Sequence, residues 1–259
     1  MKQSTFVIVL IVVAFAVSLG IYLFLLGNPS NFSDGSNREK PNNLMGQVYT
    51  GGPIVPLLLT LSIMVVTFIV ERLLSLRKAQ GRGSLPTFLK NVQRSLATGD
   101  IEAAVSACDQ QRGSMANIIR AGLERYHTFT QEHKTAEAEK QMTEVQRAIE
   151  EATMLEMPIL EKNLIAMSTI ASIATMLGLL GTVIGMIRAF AAMAHAGAPD
   201  AIQLSIGISE ALINTALGLF AAIVGIVAYN FFVNKVDNFT YMIDEASYDV
   251  IQTLTTKAK

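Results

Sequence analysis

The sequence predicts an all-α, polytopic membrane protein with four transmembrane helices, two of them long enough to extend into the cytoplasm, and a helical cytoplasmic domain. Three observations support this fold class. Of the 259 residues, 51% are hydrophobic and only 16% are charged, whereas soluble domains average about 25% charged residues. Four apolar runs reach the length of about 20 residues that a membrane-spanning helix requires. The polar segment between the second and third runs has helical periodicity.

The four predicted spans are residues 6–26, 53–70, 164–187 and 202–233, and only the last contains a charged residue, Glu210. This fourth run has 32 residues. As a helix it would measure about 48 Å, so we expect it to project beyond a hydrocarbon core about 30 Å thick. The first run could instead be a signal peptide. It is longer than the usual apolar region of about 7–15 residues and no Ala-x-Ala-like site follows it, so we expect a retained helix.

The distribution of basic residues predicts the orientation. Six of them follow the second span closely: Arg72, Arg77, Lys78, Arg82, Lys90 and Arg94. Cytoplasmic loops carry an excess of Lys and Arg, so this side should be cytoplasmic. The short link 195–201 and the segment 27–52, whose composition predicts an irregular exported loop, then lie on the opposite side. Four spans place both termini in the cytoplasm.

The spans divide the chain into five predicted segments. These are an N-terminal membrane helix with a periplasmic loop (1–52), a second membrane helix (53–76), a cytoplasmic helical domain (77–162), the third and fourth membrane helices (163–233) and a cytoplasmic tail (234–259). In the cytoplasmic domain, Ser84 and Pro86 are typical of a helix start. We expect Pro158 to kink the last helix of that domain shortly before the membrane.

Composition and spacing give no indication of a metal, a cofactor or a nucleic-acid partner. Cys108 is the only cysteine, which excludes an intrachain disulfide and a cysteine cluster. The histidines, at 127, 133 and 195, lack the spacing of metal ligands. The glycine-containing run 178–185 lacks the lysine of a phosphate-binding loop. The net charge of −1 does not favour binding to nucleic acid.

Small residues form one face of each of the last two spans. In the third span they are Gly178, Gly181 and Gly185; in the fourth they are Gly207, Ala211, Asn214, Gly218, Ala221 and Gly225. Spacings of three and four residues place each set on one side of its helix. Such a face lets a neighbouring helix approach closely, and close packing alone accounts for the glycines.

Four polar residues in these spans are candidates for an ion pathway: Thr182, Glu210, Asn214 and Thr215. A carboxyl group in hydrocarbon is costly and usually faces a bundle interior or a hydrated path. At about 100° per residue, Glu210 lies about 40° from Asn214 but about 140° from Thr215. Either Glu210 faces an adjacent helix while Thr215 lines a lumen, or the reverse.

Three classes of function fit a membrane bundle of this kind. A proton-conducting subunit accounts for the buried carboxyl group. A passive scaffold would need only the small-residue faces, which would hold a partner helix. An enzyme is the weakest of the three, because the spans contain no second carboxylate, Ser-Lys pair or histidine partner. We therefore expect no enzymatic activity.

The last two spans resemble those of the MotA/TolQ/ExbB proton channel family. Leu-Gly-Leu-Leu-Gly-Thr-Val in the third span, followed by Glu-Ala-Leu-x-x-Thr-Ala-Leu-Gly-Leu in the fourth, is a specific combination. Shorter matches include Glu71-Arg72 after the second span and Tyr229-Asn230 in the fourth. The resemblance extends over residues 51–232 and is closer to ExbB and TolQ than to MotA.

This resemblance implies a homopentamer in the bacterial inner membrane, around two copies of a single-span ExbD- or TolR-like protein. The threonines matching Thr182 and Thr215 would line the lumen beside a membrane aspartate of that partner, and Glu210 would lie in the same pore region. The complex would use the proton-motive force to drive a TonB- or TolA-like protein. Its process would be TonB-dependent transport or envelope maintenance.

The chain departs from the family pattern in three places. It has Ala174-Thr175 where the family often has Ala-Pro, and Ala222-Ile223-Val224 where the family often has Ala-Ile-Pro. Proline kinks helices, so these departures concern the shape of the last two spans. The common three-span plan also lacks a helix that corresponds to residues 6–26.

Overall fold

The computed structural model describes residues 2–33, 38, 40–132, 138–194 and 201–258. Over these ranges the fold is all-α, and the β structure is one isolated bridge between Phe32 and Pro41. Four helices are long and apolar enough to cross a membrane. The predicted fold class is therefore confirmed, and the chain is a multi-pass membrane protein.

The α-helices of the described residues are named here in chain order. They are α1 (Lys2–Gly20), α2 (Leu44–Tyr49), α3 (Val55–Gln80), α4 (Leu85–Thr98), α5 (Ile101–Gln111), α6 (Ser114–Glu132), α7 (Ala138–Leu160), α8 (Leu164–Ala194) and α9 (Ala201–Ala258). Residues 195–200 of the predicted link 195–201, with His195, lie outside the described residues, as does His133.

The chain forms two compact units. The first, here called the membrane unit, comprises Met1–Val70 and Asn163–Asn230. The second, here called the polar unit, comprises Glu71–Lys162 and Phe231–Lys259. The predicted spans belong to the membrane unit, apart from the last residues of the fourth.

The N-terminal helix α1 packs on α3 through small and hydroxylated residues. Ala14 is buried, and the hydroxyl oxygens of Ser18 and Thr60 lie 2.7 Å apart, with Ser18 completely buried. A polar group within hydrocarbon needs a partner inside the protein, and each of these hydroxyls supplies the other's. Between residues 7 and 20, most other side chains of α1 are exposed, as expected for a helix that faces lipid.

The segment between α1 and α3 is ordered where the structure describes it. A single π-helical turn, Ile21–Leu26, follows α1. The side chain of Asn31 donates to the carbonyl oxygens of Leu25 (2.8 Å) and Leu26 (3.0 Å). These carbonyls lose their helical partners at the end of the turn, so Asn31 caps them. Within the predicted irregular loop, two short helical segments form at Pro29–Asn31 and Leu44–Tyr49, each capped by the side chain of an asparagine.

The polar unit contains α4 to α7, and its helix boundaries follow the sequence signals. Gly99 ends α4 with φ 87°, a left-handed conformation that glycine adopts without strain. Asp100 then caps α5 by accepting a hydrogen bond from the backbone N–H of Ala103 (2.8 Å). Pro86 stands in the first turn of α4 as predicted, although Ser84 makes no side-chain capping bond.

The junction between α7 and α8 is a break, and the kink expected at Pro158 stays a prediction. Helix α7 passes Pro158 and ends at Leu160, and Asn163 takes a left-handed φ of 62° before α8 begins. The buried side chain of Arg72 donates to the carbonyl oxygen of Leu160 (3.2 Å) and forms two bonds of 2.7 Å with Glu71. Arg72 thus satisfies a carbonyl at the helix end, where no intrahelical partner is available.

Helix α9 is continuous over 58 residues, which corresponds to about 87 Å. It has no interruption at Ala222-Ile223-Val224, where proline is absent. Its residues from Phe231 onward belong to the polar unit, where Gln93 donates to the carboxylate of Asp249 (3.0 Å). The fourth predicted span is therefore part of a helix that continues well beyond residue 233, and the predicted tail is helical.

Candidate functional site

Helices α8 and α9 run antiparallel and approach so closely that their backbones touch. A Cβ atom placed on Gly185 would lie 2.7 Å from both the carbonyl oxygen of Gly207 and the nitrogen of Ala211. A Cβ atom on Gly218 would lie 2.8 Å from the Cα of Gly178. Real Cβ atoms do not come this near to other atoms, so both positions require glycine. The small-residue faces predicted from the sequence thus meet within one chain.

Gly181 also belongs to the contact between α8 and α9, but it faces a side chain of α9 instead of its backbone. A side chain at Gly181 would overlap the side chain of Asn214, which is completely buried. The Asn214 amide nitrogen donates to the carbonyl oxygen of Gly51 (2.8 Å), just before α3. Its side-chain oxygen has no hydrogen-bond partner among the described residues. Gly225, the last member of the face, lies against Ala171.

The carboxylate of Glu210 forms an ion pair with Arg188 of α8. The Nη1 atom of Arg188 lies 2.7 Å from each carboxylate oxygen. The Glu210 side chain is only 4% exposed, whereas that of Arg188 is 53% exposed. A Cβ atom on Gly52, which has φ 75°, would lie 2.5 Å from the Glu210 carboxylate. The buried acid therefore lies between α8 and the start of α3, and its charge is paired.

Arg188 is a residue of this site that was not among the sequence-predicted candidates. The predicted third span ends at residue 187, just before Arg188, although α8 continues for six further residues beyond it. The positions of Arg188 and Glu210 in the sequence could have indicated that they form a pair. In an antiparallel hairpin, Arg188 lies about 9 Å from the end of α8 and Glu210 about 14 Å from the start of α9, so opposite charges come to a similar depth.

The hydroxyl groups of Thr182 and Thr215 are partly exposed and bond to backbone carbonyls. Thr182 Oγ1 donates to Leu179 (2.6 Å), and Thr215 Oγ1 lies 3.2 Å from the carbonyl oxygen of Ala211 and 3.5 Å from that of Gly178. A hydroxyl group has one hydrogen and two lone pairs. When its hydrogen is used in this way, its oxygen can still accept a hydrogen bond.

The two threonines fall on the same side of the helix pair. Each follows by one residue a member of the contact between Gly181 and Asn214. One residue turns an α-helix by about 100°, and in antiparallel helices these turns have opposite senses when both are viewed from one end. Thr182 and Thr215 therefore rotate out of the contact to the same side, while Glu210 lies about 140° from Thr215.

Proteins of similar sequence include biopolymer transport proteins and a Tol-Pal system protein. The chain is 30% identical over 189 residues to a biopolymer transport protein ExbB homolog of Methanothermobacter thermautotrophicus, covering 73% of this chain and 62% of that protein. It is 36% identical over 115 residues to the Tol-Pal system protein TolQ of Pseudomonas aeruginosa, covering 44% and 49%. An ExbB-like biopolymer transport protein of Synechocystis is 39% identical over 92 residues, covering 35% and 44%.

The matched regions thus span between 44% and 62% of the length of these relatives. The chain also matches the sequence pattern of a whole family. Residues 110–245, more than half of the chain, match the MotA/TolQ/ExbB proton channel family. This region includes Arg188 and the four polar candidates on α8 and α9. The chain therefore belongs to the MotA/TolQ/ExbB proton channel family, with relatives named ExbB and TolQ.

Proposed function

We propose that this protein is a proton-channel subunit of an inner-membrane motor complex. It uses the proton-motive force to energise a TonB- or Tol-type envelope process, either outer-membrane transport or envelope maintenance. The observation that carries the proposal is the division of polar groups around α8 and α9. Thr182 and Thr215 fall on one side of the helix pair, while Glu210 and Asn214 are buried within the chain. The threonine side is the face that we assign to the lumen.

The hydrogen bonds of the two threonines determine which chemical groups the lumen can bind. Because Thr182 and Thr215 donate to backbone carbonyls, their oxygens face a partner as acceptors. A protonated carboxyl group can donate to such an oxygen, whereas an ionised carboxylate cannot. A threonine wall therefore favours the neutral form of an acid on a partner helix. That acid would carry the proton through the membrane.

The proposed partner is an ExbD- or TolR-like protein with one membrane span that contains an aspartate. The face of α8 and α9 leaves large apolar side chains exposed in the single chain, including Leu179, Val183 and Leu212. Other copies of the chain, the partner helix and lipid would cover them. We propose a homopentamer around two partner helices, which passes mechanical work to a TonB- or TolA-like protein.

The ion pair of Glu210 and Arg188 has a different role in this proposal. The pair neutralises the charge of Glu210 inside the chain and joins α8 to the start of α9. Glu210 therefore acts through the local electric field and the helix contact, and the proton bypasses it. With both termini in the cytoplasm, the pair lies toward the periplasmic end of the channel.

A passive scaffold is the second candidate, and one observation favours it. A lone threonine in a membrane helix commonly bonds the carbonyl one turn earlier, and both threonines do so here. In a scaffold these hydroxyls would need no partner. The replacement of each threonine by valine, which keeps the shape and removes the hydroxyl, separates the two functions.

The decisive measurement is proton uptake by proteoliposomes that contain this chain with its single-span partner, under an imposed membrane potential. We expect Thr182→Val and Thr215→Val each to lower uptake at least tenfold, while Thr→Ser variants keep most of it. Native mass spectrometry should show the parent oligomer in all four variants. Full uptake in both valine variants, with normal assembly, would leave the scaffold as the function.

A further inference from the structure

A cavity of about 610 Å³ in the polar unit lies between the end of α3, the α3–α4 link, the α5–α6 link and α7. Three cationic side chains from separate segments line it: Lys78, Arg82 and Arg112. Within the part of the chain that the structure describes, none of the three pairs with a carboxylate. Elsewhere in this unit Arg120 and Arg147 do form such pairs.

The cavity has little negative charge to balance these cations. Glu156 is the one acidic residue among its described lining residues. The Glu156 Oε1 atom already accepts a hydrogen bond of 2.8 Å from the side chain of Asn117. Three cations thus face the cavity against one carboxylate, which makes it a site for an anion.

The two links that carry the arginines are fixed to each other. The backbone N–H of Arg82 donates to the carbonyl oxygen of Gln111 (2.8 Å). The side chain of Gln111, which is buried, donates to the carbonyl oxygens of Gln80 (3.0 Å) and Gly83 (3.2 Å). The backbones that carry Arg82 and Arg112 are therefore fixed to each other, so an anion that binds both side chains orders little backbone on binding.

Arg112 occupies an unusual backbone conformation for an arginine. Its φ of 55° and ψ of 171° fall in a region that is almost restricted to glycine, and such strain costs about 1–3 kcal/mol. Glycine would fit this helix end without strain, so the arginine side chain provides something that glycine cannot. Its position on the cavity wall indicates that this is positive charge.

The cavity also has an apolar edge close to the membrane boundary. Lys78 lies eight residues beyond Val70, the last residue of the second apolar run, which is about 12 Å along α3. Ile159, which lines the cavity, is 51% exposed, and Leu74, one turn before Lys78, is 62% exposed. Long basic side chains reach along apolar surface toward lipid head groups. A basic pocket with an exposed apolar rim at this depth suits a phospholipid.

We propose that this cavity binds the phosphate group of an anionic phospholipid of the cytoplasmic leaflet, with the lipid chains along Leu74 and Ile159. Inorganic phosphate presents the same anion to Arg82 and Arg112. Only a lipid also covers the apolar edge, and juxtamembrane basic residues are attracted to anionic lipid. The site is separate from the proposed ion pathway on α8 and α9.

The sequence contains no tryptophan, which makes a fluorescence test simple. Ile159→Trp places a single fluorophore at the cavity edge of the full chain, reconstituted in phosphatidylcholine vesicles. Brominated phosphatidylglycerol at a low mole fraction should quench it several-fold more than brominated phosphatidylcholine at the same fraction. Arg82→Gln with Arg112→Gln should reduce this preference to the phosphatidylcholine level. Lys90→Gln with Arg94→Gln, which removes the same charge from exposed residues of α4 outside the cavity, should retain it.

Equal quenching by the two lipids in the Ile159→Trp protein would overturn the proposal, as would an equal loss of preference when either double variant is added to it. A second arm adds inorganic phosphate to protein in vesicles of phosphatidylcholine alone. A saturable change in emission that needs Arg82 and Arg112, without any lipid preference, would show a soluble phosphate site and overturn the lipid assignment. Circular dichroism and size-exclusion chromatography check folding, and Leu74→Trp replaces Ile159→Trp if the latter does not fold.

Discussion

The membrane unit and the polar unit use glycine in different ways. In the membrane unit, Gly185 and Gly207 lie inside helices and let two backbones touch. In the polar unit, Gly81, Gly99 and Gly113 lie between helices with φ of 85°, 87° and 94°, a conformation that favours glycine, and a Cβ atom on Gly81 or Gly113 would also overlap nearby backbone. Glycine thus brings two helices together in one unit, and in the other it combines a change of chain direction with close contact between links.

The difference follows from the solvent around each unit. In water, burial of apolar side chains such as Val92, Leu96 and Ile118 drives helices together. In a bilayer, lipid is as apolar as leucine, so helices associate through close van der Waals contact and a few polar bonds. Glycine inside a helix costs stability in water, but on α8 and α9 it creates the contact surface itself.

The strongest way to break this comparison is to fill the α8–α9 contact. Gly185→Leu places a side chain where even a Cβ atom overlaps backbone of α9. Overpacking of this kind costs about 1–3 kcal/mol or more, so we expect loss of the assembled complex. Gly20→Leu is the matched control, because this glycine of α1 has no atom within 4 Å of a Cβ position. Native mass spectrometry should show a changed oligomer only for Gly185→Leu, and an unchanged one would refute the contact.

The next largest effect should come from the ion pair, because its two members differ in exposure. Arg188→Gln leaves the buried Glu210 carboxylate without its partner, and breaking a buried pair costs about 3–5 kcal/mol; the exposed half of Arg188 reduces that figure. Glu210→Gln leaves an arginine that can reach water, so it should lower the melting temperature less. The double variant should recover most of the loss from Arg188→Gln. Thermal unfolding in detergent measures all three, and additive losses would show that the pair is uncoupled.

A third test concerns the orientation of the chain in the membrane, where a smaller effect is expected. Burial raises the pKa of the Cys108 thiol to about 12, so this thiol remains protonated and unreactive until the pH approaches that value. The parent protein should therefore give no maleimide signal at pH 8. The labelling of a single introduced cysteine can then be measured without replacing Cys108. With the basic cluster inside, Ser30→Cys should react with an impermeant reagent added to intact cells, and Ala138→Cys should react only after lysis. Reaction at Ala138 in intact cells would contradict the four-span topology.

The smallest effect should come from a surface ion pair of the polar unit. Arg147 and Glu151 lie 2.9 Å apart with side chains 70% and 63% exposed, and such pairs contribute little because solvent screens them. Arg147→Gln should leave the melting temperature within experimental error of the parent. If Arg147→Gln lowered the melting temperature as much as Arg188→Gln, solvent exposure would not explain the difference between a surface ion pair and a buried one.

Sequence patterns predicted the parts of the fold that depend on composition along one element. The four spans and the start of α4 at Pro86 follow from apolar length and local backbone chemistry. The break at Asn163 was not predicted, because it depends on Arg72, which lies far away in sequence and bonds the end of α7. The order around Asn31 was missed for a similar reason, since composition does not show which carbonyls an asparagine will bond.

The candidate site shows the same limit. Helical geometry placed Glu210 and Thr215 on different faces of α9, but it left open which of them faced the lumen. The choice between the two faces depends on Arg188 and on the glycine backbone at 51 and 52, which come from other elements. The role of the threonines in proton transfer stays a prediction, which the valine variants test.

The continuity of α9 has a mechanical consequence. Thr215 and the final turn before Ala258 belong to one rod without proline or break, and a helix resists twisting and compression along its axis because each turn is bonded to the next. Under the proposed function, a rotation imposed on α9 at Thr215 would be transmitted along the same helix toward Ala258. The C-terminal end of α9 therefore offers a place to observe or to block such a rotation.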